Sequence, residues 1–160
     1  MRRFGKPKTI RVDQGCQFTS RELDLWAYSH GVTLDYNGMV SPIGAYGFRG
    51  VVWYQGESDI YFASQYKVTL LAMMADWRRH FEQPELPFLI VQLPNYGQPS
   101  PQPTSSVWAN VREAQRQAVL QDKHAALTVN VDIGDATNLH PTNKAELGRR
   151  LTLAARAERC

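Results

Sequence analysis

The sequence predicts an α/β layered fold with a mainly parallel sheet. Short runs of β-branched and aromatic residues alternate along the chain with longer segments of helical periodicity, and glycine or proline usually separates them. Such alternation favours parallel strands joined by helical crossovers. Sheets of this kind bind ligands beyond the carboxyl ends of their strands, so the polar residues that close each strand are the candidates for function.

The first 36 residues are predicted to form one small β-α-β unit. The strand TIRV at 9–12 is followed by a turn at Gly15. A helix then begins near Ser20, which is a favourable capping residue, and ends before Gly31. The run VTLDY at 32–36 provides the second strand.

After Tyr36 the composition changes, because residues 37–50 contain four glycines and a proline and are predicted to be a loop or a junction. Beyond it the apolar runs are nearly continuous, which is typical of buried parallel strands. Apolar residues recur every three or four positions in the intervening helices. The predicted elements are strands at 51–56, 87–94 and 126–132 and helices at 61–81, 106–120 and 143–157.

Composition is ordinary for a globular protein, with 43% hydrophobic and 21% charged residues, which argues against disorder. Six Lys or Arg face four acids in residues 1–36, and twelve face eleven in residues 37–160. The resulting charge of +3 is too small to imply nucleic-acid binding. The basic N-terminus precedes no apolar stretch of the length that a signal peptide or membrane span requires, so we expect a cytoplasmic location and no membrane partner.

Two groups of polar residues close predicted strands. Gln55 ends a buried strand, where its amide is either an oxyanion donor or a cap on neighbouring carbonyls. Asp135 and His140 lie five residues apart in the last strand-to-helix loop, a spacing that allows a carboxylate to orient an imidazole as in a hydrolytic triad; the alternative is a surface histidine beside a helix. Pro141 disfavours helical dihedrals at His140 and keeps it in the loop.

Other chemistries find little support in the sequence. Glu57 and Asp59 are candidates for a glycosidase carboxylate pair, but their separation across a cleft is not readable from the sequence. The four histidines include no close pair suited to a metal, and the two cysteines lack metal-ligand spacing. No phosphate-binding or dinucleotide-binding glycine loop and no G-x-S-x-G motif occurs. We therefore predict neither a metal nor a cofactor.

Three ordered motifs resemble one enzyme family. They are NGMVSPIGAYGFRGVVWYQGESD from residue 37, REAQ at 112–115 and DIGDATNLHPTNKAELGRRL from residue 132. Residues 37–158 thus resemble the C-terminal part of the sialate O-acetylesterase and acetylxylan esterase group of SGNH-type hydrolases. The resemblance implies a flavodoxin-like, three-layer α/β/α fold, here incomplete. It also implies a serine esterase that removes acetyl groups from sugars without a metal.

The resemblance assigns roles by position. His140 corresponds to the general base and Asp135 to its orienting acid, with Asp132 as the alternative acid. Gln55, Gly56 and Glu57 correspond to the oxyanion and substrate side. The family's nucleophilic serine lies in a GQSN-like turn upstream of the QGE block, and none of the eight serines here has a GQS or GDS context.

The nucleophile is therefore unknown, and the nearest serine, Ser58, belongs to the QGES block itself and is not expected to attack. Without that serine we expect weak or no activity from the chain alone. The implied partner is an acetylated carbohydrate, and the sequence leaves the particular sugar and the oligomeric state open.

Residues 8–36 resemble a different family, the integrase-type catalytic core of insertion-sequence transposases. Asp13 matches the second acid of the D-D-E metal site, within DQGCQF in place of the usual DNG-PEF. One carboxylate does not assemble a two-metal site, so neither transposase activity nor nucleic-acid binding is expected. The sequence thus predicts a chimera of a transposase remnant at 1–36 and an esterase-like domain at 37–160.

Overall fold

The computed structural model describes residues 47–157 in full and the backbone of two short strands, residues 9–11 and 33–35. The chain divides into two units, Met1–Tyr46 and Gly47–Cys160. The predicted domain boundary near Tyr36, the candidate acid Asp13 and the helix predicted between the first two strands lie outside the described residues, and these assignments stay predictions.

In the first unit, β1 (Thr9–Arg11) pairs in parallel with β2 (Thr33–Asp35). Thr9 lies opposite Thr33, and Arg11 lies opposite Asp35. A parallel pair needs a crossover connection, since a tight hairpin reverses the chain direction. The β-strand predictions for both segments are confirmed.

In the second unit, three strands form one parallel sheet in the order β3-β4-β5. These strands are β3 (Val51–Trp53), β4 (Phe88–Val91) and β5 (Ala125–Thr128). Every side chain of β4 is buried, as expected of a central strand covered on both faces. The predicted parallel sheet is confirmed, although each strand is shorter than its apolar run, because the last residues of each run form the loops of the candidate site.

Three helices cover this sheet: α1 (Ala63–His80), α2 (Val107–Gln121) and α3 (Lys144–Ala157). Helices α1 and α2 pack against each other, and α3 packs against β4 and β5. Trp53 contacts Trp77 of α1, whereas the next residue, Tyr54, contacts Lys144 of α3. Because successive side chains of an extended segment point to opposite faces, α1 and α3 lie on opposite faces of the sheet. The predicted α/β fold with three layers is confirmed.

The buried stripe of α1 follows a four-residue spacing through Tyr66, Leu70 and Met74. The sequence predicts an apolar stripe made of Phe62, Tyr66, Leu70, Met73, Trp77 and Phe81. Two of these residues differ from expectation. Phe62 is 50% exposed, and Met73 is only half-buried, whereas its neighbour Met74 is fully buried. The sequence pattern predicted the position of the helix correctly. It misplaced the buried face of the helix by the rotation between two adjacent residues, which is part of one turn.

Arg78 ties α1 to the amino ends of β4 and β5. Its guanidinium forms a two-point ion pair with Asp122, at 2.5 and 2.9 Å, and both side chains are largely buried. It also donates to the carbonyls of Leu86 and His124 and lies 5.2 Å from the ring centre of Phe88. The end of the sheet opposite the candidate site is therefore fixed by one arginine.

Among the described residues, no helix is long and apolar enough to span a membrane. The part of the chain that the structure describes also contains no cluster of three or more side chains suited to hold a metal ion.

Candidate active site at the carboxyl ends of the strands

The segments that follow β3, β4 and β5 meet at one edge of the sheet, because all three strands are parallel. The first is a short 3-10 helix, Glu57–Asp59, that follows Gln55 and Gly56 directly. The other two are joined to each other, since the Gly134 N–H donates to Asn95 Oδ1 at 2.8 Å and the Gly97 N–H donates to the Ala136 carbonyl at 3.1 Å. These three loops form the candidate active site.

Gln55 is half-buried, and neighbours hold both ends of its side-chain amide. Its Nε2 donates to Asp59 Oδ2 at 2.6 Å, one turn further along the chain. The Tyr66 hydroxyl lies 3.1 Å from Gln55 Oε1 and 2.8 Å from the Gln55 carbonyl oxygen, to which it donates. Burial raises the pKa of Tyr66 to about 12, so the hydroxyl keeps its proton and stays a donor at neutral pH. The second Nε2 proton of Gln55 has no acceptor among the residues that the structure describes, so it remains for a ligand.

Gln115 connects the carboxyl ends of β3 and β4 from within α2. This side chain is fully buried. Its Nε2 donates to the Gln55 carbonyl at 3.2 Å and to the Val91 carbonyl at 3.4 Å, while its Oε1 accepts from the Leu93 N–H at 3.0 Å. Its polar atoms are thus satisfied by backbone groups of two neighbouring strand ends, which fixes the spacing between them.

Gly56 occupies a position that excludes a side chain. Its φ of 146° is rarely adopted by other residues. A Cβ built here would lie 3.2 Å from Val111 Cγ1, 3.3 Å from Leu93 Cδ1 and 3.4 Å from the Tyr66 hydroxyl. Glycine therefore lets the chain turn sharply after Gln55 beneath α1 and α2.

Glu57 and Ser58 begin the 3-10 helix beside this turn. Glu57 is half-buried, and its charge contributes to the raised pKa of Tyr54, whose main cause is burial. Ser58 is exposed, and its hydroxyl makes no hydrogen bond to any residue that the structure describes. Asp59, which the sequence suggested as one half of a carboxylate pair with Glu57, is bound to Gln55 instead.

Asp135 and His140 lie in the loop after β5, and both are exposed. Asp135 Oδ1 accepts from the N–H and the hydroxyl of Thr137, at 2.7 and 2.8 Å, and from the Asn138 N–H at 3.0 Å. These bonds hold the pKa of Asp135 below its usual range. The His140 N–H in turn donates to Asn138 Oδ1 at 2.9 Å.

The structure joins neither candidate acid to the imidazole. The hydrogen bonds of Asp135 go to Thr137 and Asn138. The alternative acid, Asp132, forms a two-point ion pair with Arg150 at 2.5 and 2.7 Å, which lowers the Asp132 pKa to about 2. The assignment of Asp135 or Asp132 as the partner of His140 therefore stays a prediction.

One contact relates the last loop to the Gln55 side of the site. The Lys144 ammonium, at the start of α3 and four residues after His140, lies 5.1 Å from the ring centre of Tyr54. Tyr54 directly precedes Gln55. The loop that carries His140 therefore returns to the carboxyl end of β3, where Gln55 lies.

Two residues of this arrangement, Tyr66 and Gln115, were not assigned a role from the sequence. Asp59 was considered only as half of a carboxylate pair with Glu57. Tyr66 was expected only as a core residue of a helix, and Gln115 only as one letter of the REAQ motif. A signal was present for Gln115, because a polar residue on the inner face of an amphipathic helix requires buried partners.

The fold and this strand-end site define an α/β protein with a parallel sheet and a candidate ligand site at the carboxyl ends of its strands. Comparison with known proteins makes the class more specific. The model of the family "SASA: Carbohydrate esterase, sialic acid-specific acetylesterase" matches residues 16–157. A crystal structure described as a novel carbohydrate acetylesterase from Xanthomonas citri is 37% identical, with a TM-score of 0.70. It covers 81% of this chain, and the chain covers 32% of it.

Two curated relatives agree with this class. The sialate O-acetylesterases of Homo sapiens and Pongo abelii are each 31% identical over an alignment of 139 residues, and each match covers 76% of this chain and 26% of the relative. The chain belongs to the carbohydrate esterase family of sialic acid-specific acetylesterases, and the resemblance found in the sequence is confirmed. The chain spans about a quarter of the length of these relatives.

A short match of a different kind accompanies the esterase matches. An uncharacterized 31.7 kDa protein of the insertion element IS407 from Burkholderia multivorans is 67% identical over 30 residues, 19% of this chain and 11% of that protein. This agrees with the insertion-sequence resemblance. The esterase family match begins at residue 16, within the segment that carries that resemblance.

Proposed function

We propose that this chain forms the oxyanion and acid-base part of a carbohydrate O-acetylesterase site and binds acetylated carbohydrate. Gln55, with the Gly56 turn, faces the developing oxyanion, and Glu57 lines the substrate side. His140 is the general base and Asp135 its orienting acid. The attacking serine is not among the serines of these 160 residues, so the chain alone has little or no activity.

The observation that carries the proposal is the fixed amide of Gln55 at the carboxyl end of β3. Asp59 accepts one of its Nε2 protons, which leaves the other for a ligand. A preorganised donor of this kind stabilises the negative charge of a tetrahedral intermediate by roughly 3 kcal/mol or more, because it needs no reorientation during the reaction.

The proposed chemistry is divided between the loop after β5, which carries His140, and the segment after β3, which begins at Gln55. The His140 imidazole takes the proton of the attacking hydroxyl and later gives it to the departing sugar oxygen. The acetyl carbonyl oxygen becomes negative as the tetrahedral intermediate forms and accepts the free N–H of Gln55. The contact between Lys144 and Tyr54 supports this division, since it relates the His140 loop to the Gln55 strand.

The substrate class is part of the proposal. The solved relative is described as a carbohydrate acetylesterase, and the curated relatives are named sialate O-acetylesterases. We propose an acetylated sugar as the ligand of this chain.

Activity of the chain alone tests the missing nucleophile. Hydrolysis of 4-nitrophenyl acetate and of an O-acetylated sugar is measured for the unaltered chain, His140→Ala and Ser58→Ala. We expect the same background rate for all three proteins. A faster unaltered chain that loses its advantage in Ser58→Ala would make Ser58 the nucleophile and contradict the proposal.

Complementation tests the roles of the residues that are present. The chain is co-expressed with the segment of a related esterase that carries its nucleophilic serine, and sugar acetate hydrolysis is measured. We expect activity that His140→Ala and Gln55→Ala abolish. The exposed His80, near the opposite end of the sheet, supplies the matched control, and His80→Ala should retain activity. Complemented activity that survives His140→Ala would refute the assigned base.

The second candidate is an inactive, esterase-derived domain that binds sugars. The absence of a serine in a GQS or GDS context favours it. Saccharide binding without turnover, even in the complemented protein, would distinguish it from the first candidate. A nucleic-acid-binding remnant predicts instead salt-sensitive DNA association that depends on residues 1–36.

A further inference from the structure

A cavity of about 330 Å³ opens between the loop after β4 and the first turns of α2. Small-molecule sites typically have volumes of roughly 300 to 1,000 Å³, so this one suits a ligand about the size of one sugar ring. Its lining includes Tyr96, Trp108, Arg112 and Asp132.

Arg112 places an unneutralised positive charge in this cavity. Its guanidinium is half-buried and donates weakly to the Pro94 carbonyl, at 3.4 Å. Burial lowers its pKa, and no carboxylate among the described residues forms an ion pair with it. Arg116, one turn further along α2, is paired with Glu113 at 2.7 Å. A partly buried guanidinium without a counter-charge favours an anionic ligand, and its planar donors match a carboxylate.

Asp132, the acid in the cavity wall, does not neutralise Arg112. Asp132 is held by Arg150 through two hydrogen bonds, and Arg150 also binds Glu146 and the Val129 carbonyl. The charge of Asp132 is therefore balanced by Arg150 and not by Arg112. Arg112 remains available to a ligand.

Two aromatic rings form an apolar wall beside Arg112. Tyr96 and Trp108 have ring centres 5.3 Å apart, and Tyr96 is 45% exposed whereas Trp108 is 8% exposed. The Trp108 indole donates to the Pro94 carbonyl at 2.5 Å, which fixes the orientation of its ring. A rigid aromatic wall with a few convergent polar groups is the usual composition of a small-molecule site.

The cavity lies beside the proposed oxyanion donor. Arg112 and Gln115 are three residues apart on α2 and so are neighbours on one face of the helix. Gln115 donates to the Gln55 carbonyl. A ligand in the cavity is thus held by the same helical turns that position Gln55.

We infer that this cavity is a subsite in which Arg112 binds the carboxylate of an acidic sugar whose ring packs against Tyr96 and Trp108. The inference rests on the proposed function and names Arg112 as the residue that makes the chain prefer acidic over neutral sugars. It does not depend on the attacking serine, so it is testable on the full chain by binding alone.

The test compares two ligands that differ only in charge, N-acetylneuraminic acid and its methyl ester. Each is titrated into the ¹⁵N-labelled chain, and dissociation constants are obtained from backbone shifts and from the indole N–H signal of Trp108. We expect the acid to bind at least about tenfold more tightly than the ester. In Arg112→Gln this preference should disappear, while Arg116→Gln, on the same helix, should keep it.

The outcomes separate this inference from the proposed function. Equal binding of acid and ester to the unaltered chain, or an acid preference that survives in a folded Arg112→Gln, overturns the subsite and leaves sugar binding intact. An Arg112-dependent acid preference combined with no hydrolysis after complementation supports the subsite and refutes the esterase role. Failure of both ligands to bind overturns both. Far-ultraviolet circular dichroism and thermal unfolding establish that each variant is folded.

Discussion

The side-chain amide of Gln55 donates to the carboxylate of Asp59, with 2.6 Å between Nε2 and Oδ2. The two residues flank the Gly56 turn, and the 3-10 helix between them brings Asp59 back over Gln55. An acid next to the proposed oxyanion donor would be unfavourable if it faced the substrate. Bound to Gln55, it instead fixes which end of the amide points toward the site.

The first prediction concerns this orientation. Asp59→Ala removes the acceptor, so the Gln55 amide becomes mobile, and its side-chain ¹H–¹⁵N signals should shift and broaden. In the complemented esterase we expect kcat to fall roughly ten- to a hundredfold with a smaller change in KM, because the donor is no longer preorganised. Asp76→Ala, which removes an exposed ion pair with Arg79, is the control and should leave both signals and kcat unchanged.

A second prediction concerns Gln115. Gln115→Leu removes the partner of three backbone groups at the ends of β3 and β4, of which those of Val91 and Leu93 are buried. The free energy of unfolding should fall by about 2 to 4 kcal/mol, since unsatisfied buried polar groups are costly. Urea denaturation measures the change. The exposed Gln121, at the end of the same helix, provides the comparison, and Gln121→Leu should change stability by less than about 0.5 kcal/mol.

The third prediction compares two glycines. Gly56→Ala should destabilise the chain by about 1 to 3 kcal/mol, because alanine is strained at a φ of 146° and its Cβ crowds Val111 and Leu93. Gly148 lies within α3 with nothing near its Cβ position. Gly148→Ala should therefore stabilise the chain by about 0.5 to 1 kcal/mol. Chemical denaturation of both variants checks the opposite signs, and the same sign for both would contradict the backbone argument.

A fourth prediction follows from the buried pair of Arg78 and Asp122. Burial by itself raises the pKa of Asp122, but the hydrogen bonds from Arg78 and the His124 N–H outweigh burial and hold the pKa below its ordinary value. A carboxyl with a lowered folded-state pKa stabilises the protein above its unfolded pKa, about 3.9, and this contribution is lost as the pH falls through the folded value. Asp122→Asn should therefore be less stable than the unaltered chain at pH 7, with the difference shrinking below about pH 4.

The ion pair of Arg78 and Asp122 is also tested by removing its arginine. Arg78→Met leaves Asp122 as a buried charge without its partner, and we expect a loss of about 3 to 5 kcal/mol at pH 7. Arg79→Met, at the neighbouring exposed position, is the matched control and should have little effect. Urea denaturation between pH 3 and 7 measures both variants. Equal stability of the two variants at pH 7 would refute the role given to Arg78.

Much of the fold was predictable because it depends on local pattern. The continuous apolar run FLIV predicted a buried strand, and β4 is buried at all four positions. The spacing of Tyr66 and Leu70 predicted α1 within two residues of its observed ends. The inner face of α1 was less predictable, because both Met73 and Met74 are apolar and only the neighbouring helix and sheet determine which one is buried.

The candidate site was predictable only in part. The sequence located Gln55, Gly56, Asp135 and His140 at the ends of strands, where parallel sheets bind ligands. It did not reveal the partners of these residues, since those lie far along the chain, as Gln115 does from Gln55. The partner of Asp59 was not predictable either, although it is only four residues away, because it is the 3-10 turn after Gly56 that brings the Asp59 carboxylate to Gln55.

The sequence by itself determined the order of strands and helices, the parallel character of the sheet, the esterase family and the absence of a serine in the family's motif, because each depends on residue types and their spacing. Only the tertiary structure decided how Asp59, Tyr66 and Gln115 hold Gln55, and that Arg112 lines a cavity in which no carboxylate of the described residues pairs with it. Hydrogen bonds and charge balance depend on distances between atoms that are remote in sequence, and folding sets those distances.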